Sequence, residues 1–596
     1  MNPTHVTSRE QLQQAIDTEI KSLEESIRAL KSRRNTLSPV SSLAPEVFAA
    51  IFSHVCLPGI PSLGGKPGKN LARLRISHVC QQWRKMTLNQ PLLWSHINFN
   101  TLSLAGASEI LVRAKSVPLY LEARLSDRSW SLVQIFQNEL QPRVPHIRHL
   151  SISADPYRTH LLHSTLEGLV SPAPTLEYLS VFSCKVYGQK IVSIPDNLFY
   201  GCTPRLSCLR LRKCDISWKS PLFKDLQYLE IRTPSTRPKL AVWLDAMCEL
   251  PQLKELALHS ASPIAPSSPF DVERTLTLSS LTLLDISASA WDCALALAHL
   301  DLPALTYLRV TVLSPLPNDS DAQHLLTYIG RNAHGPQDPH PLQSMLIRSN
   351  EKGHLDIAAW TVPDIDAEVH NPPALLGATI PPRITFTSES LSYDQYISGE
   401  HRQLFDTILL ALPLDDLVML AAQDLHSAIF LVDDLSTQQF WLRHAPRWPL
   451  LQRVRVACPV THGFIQALLE DNGGHERPLL PSLLELVVDN ASSHRLSTLP
   501  LCTTLMKRVE QGVPLDVLDL RTCYDSILSF KVVRPLSEIV ANVLGPEPYN
   551  TANQMRSMWM ALARHPFIED DIYGEETLSD PDDSDTGGDE DEDDEE

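Results

Sequence analysis

Residues 206–214 read LSCLRLRKC: Leu206, then Leu209 and Leu211 at +3 and +5, then Cys214 at +8. Residues at +3 and +5 are two apart, so on an extended strand they share one face and enter one core. The spacing recurs on both sides. Upstream lie Ile147, Leu150, Ile152 and Leu176, Leu179, Val181. Downstream lie Leu226, Leu229, Ile231; Leu253, Leu256, Leu258; Leu281, Leu284, Ile286; Leu305, Leu308, Val310; and Leu342, Met345, Ile347. After a gap come Leu451, Val454, Val456; Leu483, Leu486, Val488; and Leu515, Leu518, Leu520.

The first group starts every 20 to 37 residues and the last three every 32. Such periods mark an α/β solenoid, because one short strand with its return segment cannot bury its apolar face alone. The pattern resembles the leucine-rich repeat, which places Asn or Cys at +8 to satisfy backbone groups between turns; Cys184, Cys214, Asn350 and Cys523 occupy that place. A zinc site from Cys202, Cys208 and Cys214 is the weaker reading, since a spacing of six matches no common zinc motif. Strand positions between core residues, such as Arg210 and Glu230, are expected to be exposed.

Residues 350–400 are rich in Pro and Thr and carry no repeat, as a loop inserted in the array or a boundary between two blocks would. Residues 401–450 read as helical, and ILLALPLDDLVML as buried core with Asp415 and Asp416 solvated. Ahead of the array, Leu12, Ile16, Ile20, Leu23, Ile27, Leu30 and Leu37 predict a helix over 7–37. Thr7 with Glu10 forms a capping-box pattern, and Asp17–Lys21 and Glu24–Arg28 are favourable i, i+4 pairs. Two readings stay open: a short dimerising coiled coil, interrupted by Arg34, or a helix packed on its own next domain. Pro39 ends it.

Between 38 and 100, SSLAPEVFAAIFSHV predicts a helix with Pro45 and Glu46 in its first turn, followed by the Gly- and Pro-rich loop Pro58 to Asn70. A second apolar helix holds Leu71, Leu74, Val79, Cys80 and Trp83, and a turn leads to Leu93, Trp94 and Ile97. Leu43, Pro45, Glu46, Val47, Ile51 and Phe52, then Val79, Cys80, Trp83 and Arg84, then Pro91, Leu93, Trp94 and Ile97 resemble the F-box pattern of fungal F-box proteins. Ala44 departs from it, standing where the family usually has Pro, and the loop is long. The resemblance implies a three-helix module that binds a Skp-type adaptor and through it a cullin. It implies Leu43, Pro45, Glu46, Ile51, Phe52, Leu93 and Trp94 as adaptor-binding residues, and Val47, Val79, Cys80, Trp83 and Ile97 as the module's core. A segment this small leaves apolar surface for a partner to complete.

The organisation expected is therefore an α/β chain: an N-terminal helix (1–37), an F-box (38–100), a connecting helical region (101–145) and a leucine-rich-repeat-like solenoid (146–350). An insertion with a helical segment (351–450), further repeat-like units (451–545), a C-terminal helix (546–568) and a disordered acidic tail (569–596) follow. The tail holds 17 Asp or Glu and no Lys or Arg, which leaves −2 of the formal −19 for the rest. No concentrated positive charge marks a nucleic-acid partner. No apolar run reaches membrane-spanning length, and the polar start is no signal peptide. Eleven scattered cysteines without CxxC pairs fit reduced thiols, and hence cytoplasm or nucleus. Ser579 and Thr586, each with an acid at +3, are candidate phosphorylation sites.

The stretch GGKPGKN lacks P-loop spacing, and neither HExxH nor GxSxG occurs. No cofactor is expected. The function expected is that of a non-catalytic receptor of an SCF-type ubiquitin ligase, recruiting a protein substrate through the solenoid. An F-box scaffold without a ubiquitination role is the alternative, and an enzyme with its site in 350–450 a remote one.

Overall fold

Along Leu119–Leu125, written LYLEARL, Leu119, Leu121, Ala123 and Leu125 turn inward while Glu122 and Arg124 face out. That alternation, repeated strand by strand, builds the molecule. The computed structural model describes residues 3–56, 72–126, 130–184, 191–264, 274–313, 319–333, 341–349, 355–366, 380–388, 408–424, 437–457, 460–469, 478–489, 498–523 and 533–545. It is a mixed α/β structure with a 17-stranded, mostly parallel sheet, preceded by an N-terminal helix, α1 (Pro3–Thr36).

The sheet opens at His96–Asn98 and proceeds through Leu119–Leu125, Ile147–Ala154, Tyr178–Ser183, Cys208–Arg212, Tyr228–Arg232, Glu255–His259, Leu283–Ala288 and Tyr307–Val312, all parallel. Register puts like on like. Leu121, Leu150, Leu179, Leu209, Leu229, Leu256, Leu284 and Leu308 form one buried row, and Ala123, Ile152, Val181, Leu211, Ile231, Leu258, Ile286 and Val310 the next. Each fully buried aliphatic side chain contributes about 1.5 to 3 kcal/mol, so the rows carry much of the core. At +8, the Cys214 thiol donates toward the Val181 carbonyl at 3.8 Å and Cys523 toward that of Val488 at 3.4 Å, each reaching back to the preceding strand.

Beyond Val312 chain order and sheet order part. The neighbour of Tyr307–Val312 is Ile384–Ser388, which pairs antiparallel with Leu355–Trp360, itself antiparallel to Ser344–Ser349. Parallel order resumes through Met419–Asp424, Arg453–Ala457, Glu485–Asp489, Val517–Asp519 and Asn542–Leu544. The 350–400 region is thus neither a plain loop nor a boundary: it supplies two strands that complete the sheet. Residues 401–450, expected to be helical, contain the strand Met419–Asp424 as well as the helix Gln438–His444. Likewise 101–145 holds the helix Leu104–Ala114 and then the strand Leu119–Leu125.

Three helices close the sheet's first edge: α2 (Pro45–Cys56), α3 (Ala72–Ser77) and α4 (Gln81–Leu88). Their apolar residues join the same core as the strands. The whole 58–70 loop, Leu71, Asn350, the helix expected at 546–568, the acidic tail, Ser579 and Thr586 lie outside the described residues.

Candidate interaction surfaces

Two faces carry ordered rows of side chains, the first exposed and the second largely closed. The first is on α2. Phe48 and Phe52, four residues apart, turn inward and meet Trp83 at ring-centroid distances of 5.8 and 5.1 Å. That orientation leaves the adjacent stripe unpaired. Leu43, Val47, Ile51 and Val55, each four residues on from the last, are 37%, 43%, 44% and 48% exposed. Pro45 and Glu46 are exposed beside them.

Of the residues expected to bind an adaptor, Leu43, Pro45, Glu46 and Ile51 therefore share one surface. Phe52, Leu93 and Trp94 do not, because the chain buries them itself. Trp94 lies under the Arg113 guanidinium, 4.8 Å from the ring centroid, and its indole N–H donates to the Thr87 carbonyl at 2.9 Å. Val47 and Val79, expected inside, are exposed, while Ile97 is buried and Trp83 half-buried. Cys80 caps α4, its sulfur accepting from the Trp83 amide at 3.5 Å. Phe48 was missed. Its signal was the i, i+4 pair Phe48/Phe52, which competes with the motif's Val47/Ile51 for the inward face.

The second surface is the outward face of the sheet. His96, Tyr120, His149 and Tyr178 follow one another across four strands, and the 4.7–4.9 Å strand spacing makes them stack. His96–Tyr120 centroids are 4.2 Å apart with rings 2° from parallel, and His149–Tyr178 4.0 Å and 6°. Cys208 and Tyr228 follow in register, and Arg210, two residues beyond Cys208, reaches back to the row with its guanidinium 5.7 Å from the Tyr178 ring and 4.5 Å from that of Tyr228. Burial, assisted by Arg73, lowers His96 to about 4; burial with His96 and Arg210 lowers His149 to about 4. Both are neutral at pH 7.

Beside the row sits a charge cluster. Glu230 accepts from Arg212 Nε at 2.9 Å and the Tyr228 hydroxyl at 2.8 Å, and pairs with Arg232 at 2.6 Å and Arg210 at 3.5 Å. Burial alone would raise its carboxyl, but Arg232, Arg212, the Tyr228 hydroxyl and Arg210 together hold it below the ordinary carboxylate value. Arg210 and Glu230 are 7% and 1% exposed, so the expectation of open strand positions is corrected: neighbouring strands wall them in. A second cluster sets Asp366 between Arg453 and Arg455, 3.1 Å from each, with Asp489 on Arg455 and Glu485 on Arg453 at 2.6 Å.

Counted from Leu206 and Leu226, the row sits at +2 and the Glu230 cluster at +4 and +6. Aligning the repeats by those columns, rather than by leucines alone, would have exposed them. Among the described residues no three His, Cys, Asp or Glu side chains converge as metal ligands. Burial pushes the Cys208 thiol up to about 12 and Cys214 higher still. No described helix is long and apolar enough to cross a membrane. Compared with known proteins, the chain matches no family model and no curated protein.

Proposed function

We propose that the chain is a non-catalytic substrate receptor of an SCF-type ubiquitin ligase. Residues 38–100 act as the F-box that docks a Skp-type adaptor, and the strands act as a leucine-rich-repeat-like solenoid whose outward face holds a protein substrate. The observation that carries this reading is the exposed stripe Leu43, Val47, Ile51 and Val55, beside Pro45 and Glu46. Val47, Ile51 and Val55 in a line on α2, with Leu43 just ahead of it, form a surface for a partner rather than scattered exposure. The half-buried His96, Tyr120, Tyr178 and Tyr228 along that face support a substrate role for the sheet, since aromatic side chains are enriched at protein-binding surfaces.

The test is co-purification from the protein's own cells, wild type beside Leu43→Asp/Ile51→Asp. Both positions are exposed, so the variant folds, which circular dichroism checks. Wild type is expected to bring down adaptor and cullin, and the variant at least about tenfold less of both. A wild type that captures neither ends the ubiquitin reading. A folded variant that captures both as well as wild type removes α2 as the docking site.

A further inference from the structure

From residue 9 onward α1 stands exposed along its length. Leu12, Ile16, Ile20, Leu23, Ile27 and Leu30 are 49% to 66% exposed, and Leu37 just beyond is 82% exposed. Among the described residues, this apolar stripe is not packed on the chain's own next domain, one of the two readings open from the sequence. In heptad terms Ile20 and Ile27 occupy position a, Ile16, Leu23 and Leu30 position d, and Arg34 position a again. The seam is flanked by Asp17, Glu24 and Lys31 at e and by Glu19, Ser26 and Arg33 at g. Charge runs from acidic at the start of the seam to basic at its end.

We propose that α1 pairs with α1 of a second copy as an antiparallel two-stranded coiled coil centred on residue 25. In that register Ile20 meets Leu30 of the second copy, Leu23 meets Ile27, and Ile16 meets Arg34. Asp17 faces Lys31 and Glu19 faces Arg33, each twice by symmetry. The like-charged contact is Glu24 with Glu24, and each Glu24 already has Arg28 of its own helix at 3.7 Å. A parallel pair instead sets Glu19 against Glu24 of the second copy twice and packs the two Arg34 side chains against each other in the seam. Antiparallel pairing also holds the two Thr36 ends about 33 Å apart at 1.5 Å per residue, leaving room for two bodies.

The pairing is independent of adaptor docking, which uses α2. Sedimentation of the full chain from about 1 to 100 µM is expected to show a monomer–dimer equilibrium that weakens with salt. Ile20→Gln/Ile27→Gln removes apolar seam contacts, and the dimer is expected to weaken at least about tenfold. Glu19→Arg decides orientation. It weakens an antiparallel dimer about fivefold or more, and Glu19→Arg/Arg33→Glu restores it. In a parallel dimer Glu19→Arg would instead turn repulsion from Glu24 into attraction and strengthen association. A chain monomeric throughout the range, a dimer indifferent to Ile20→Gln/Ile27→Gln, or a dimer tightened by Glu19→Arg each overturns the proposal.

Discussion

Glu230→Ala is the substitution that most directly probes the outward face. It deletes the anion shared by Arg210, Arg212 and Arg232. Arg212 and Arg232 have side chains 29% and 32% exposed and regain water; Arg210, at 8%, does not. A buried charge left without its partner costs about 3 to 5 kcal/mol, and the Tyr228 hydroxyl loses its acceptor as well. Urea unfolding followed by circular dichroism should therefore show a loss of about 4 kcal/mol at pH 7. Arg210→Leu/Glu230→Leu removes both charges and should recover most of that loss, because an apolar pair of similar volume is often neutral in such a place. The pH dependence has a definite sign. The Glu230 carboxyl is lowered from 4.5, so its stabilisation is full above pH 4.5 and lost as pH falls through the folded value. The gap between wild type and Glu230→Ala should close in acid. A single variant within about 1 kcal/mol of wild type, or a double variant no more stable than the single one, would refute the cluster as a desolvated network.

Three further outcomes follow from the same geometry. His96 and His149 are lowered from 6.5 to about 4, so their contribution is complete above pH 6.5 and disappears as pH falls toward 4. It reaches about 3 kcal/mol for each, and His149→Gln should flatten the melting-temperature profile between pH 6.5 and 4. Trp94→Ala or Phe52→Ala should cost about 3 to 5 kcal/mol in urea, whereas Leu43→Ala should stay within about 0.5 kcal/mol. Equal effects would contradict the division between buried and exposed anchors. Phe386, 1% exposed on the strand that joins Tyr307–Val312 to the rest of the sheet, couples its two halves; Phe386→Ala should split thermal unfolding into two steps by calorimetry.

Leucine spacing made the inward rows legible because register repeats the same demand at every strand: Leu150, Leu179, Leu209 and Leu229 all fill equivalent places. The strand Met419–Asp424 obeys the same rule through Leu417, Leu420 and Ala422, and escaped notice because Ala stands at +5 where bulkier residues mark the others. Position +8 was readable for the same local reason, a thiol within reach of the preceding strand. At α2, helical periodicity allowed two inward stripes one residue apart. Only the two phenylalanines, closing on Trp83, decide for Phe48/Phe52 over Val47/Ile51.

What sequence order could not reveal is the order of strands after Val312. Repeat spacing assumes that each strand lies on the one before, yet Ser344–Ser349 is laid down three places away, and Leu355–Trp360 and Ile384–Ser388 fill back toward Tyr307–Val312. Nothing local in Ile384–Ser388 specifies that destination. It is set by what the edge of Tyr307–Val312 lacks, a row in which Leu308 and Val310 meet Ile384 and Phe386. The same non-locality hid the charge clusters. Glu230 is buried because Arg210 and Arg212 reach it from the neighbouring strand and Arg232 from its own, and Asp366 finds Arg453 and Arg455 across nearly ninety residues of chain. A row of inward leucines can be read one repeat at a time; a carboxylate whose counter-charges arrive from neighbouring strands becomes legible only once those strands are aligned in register.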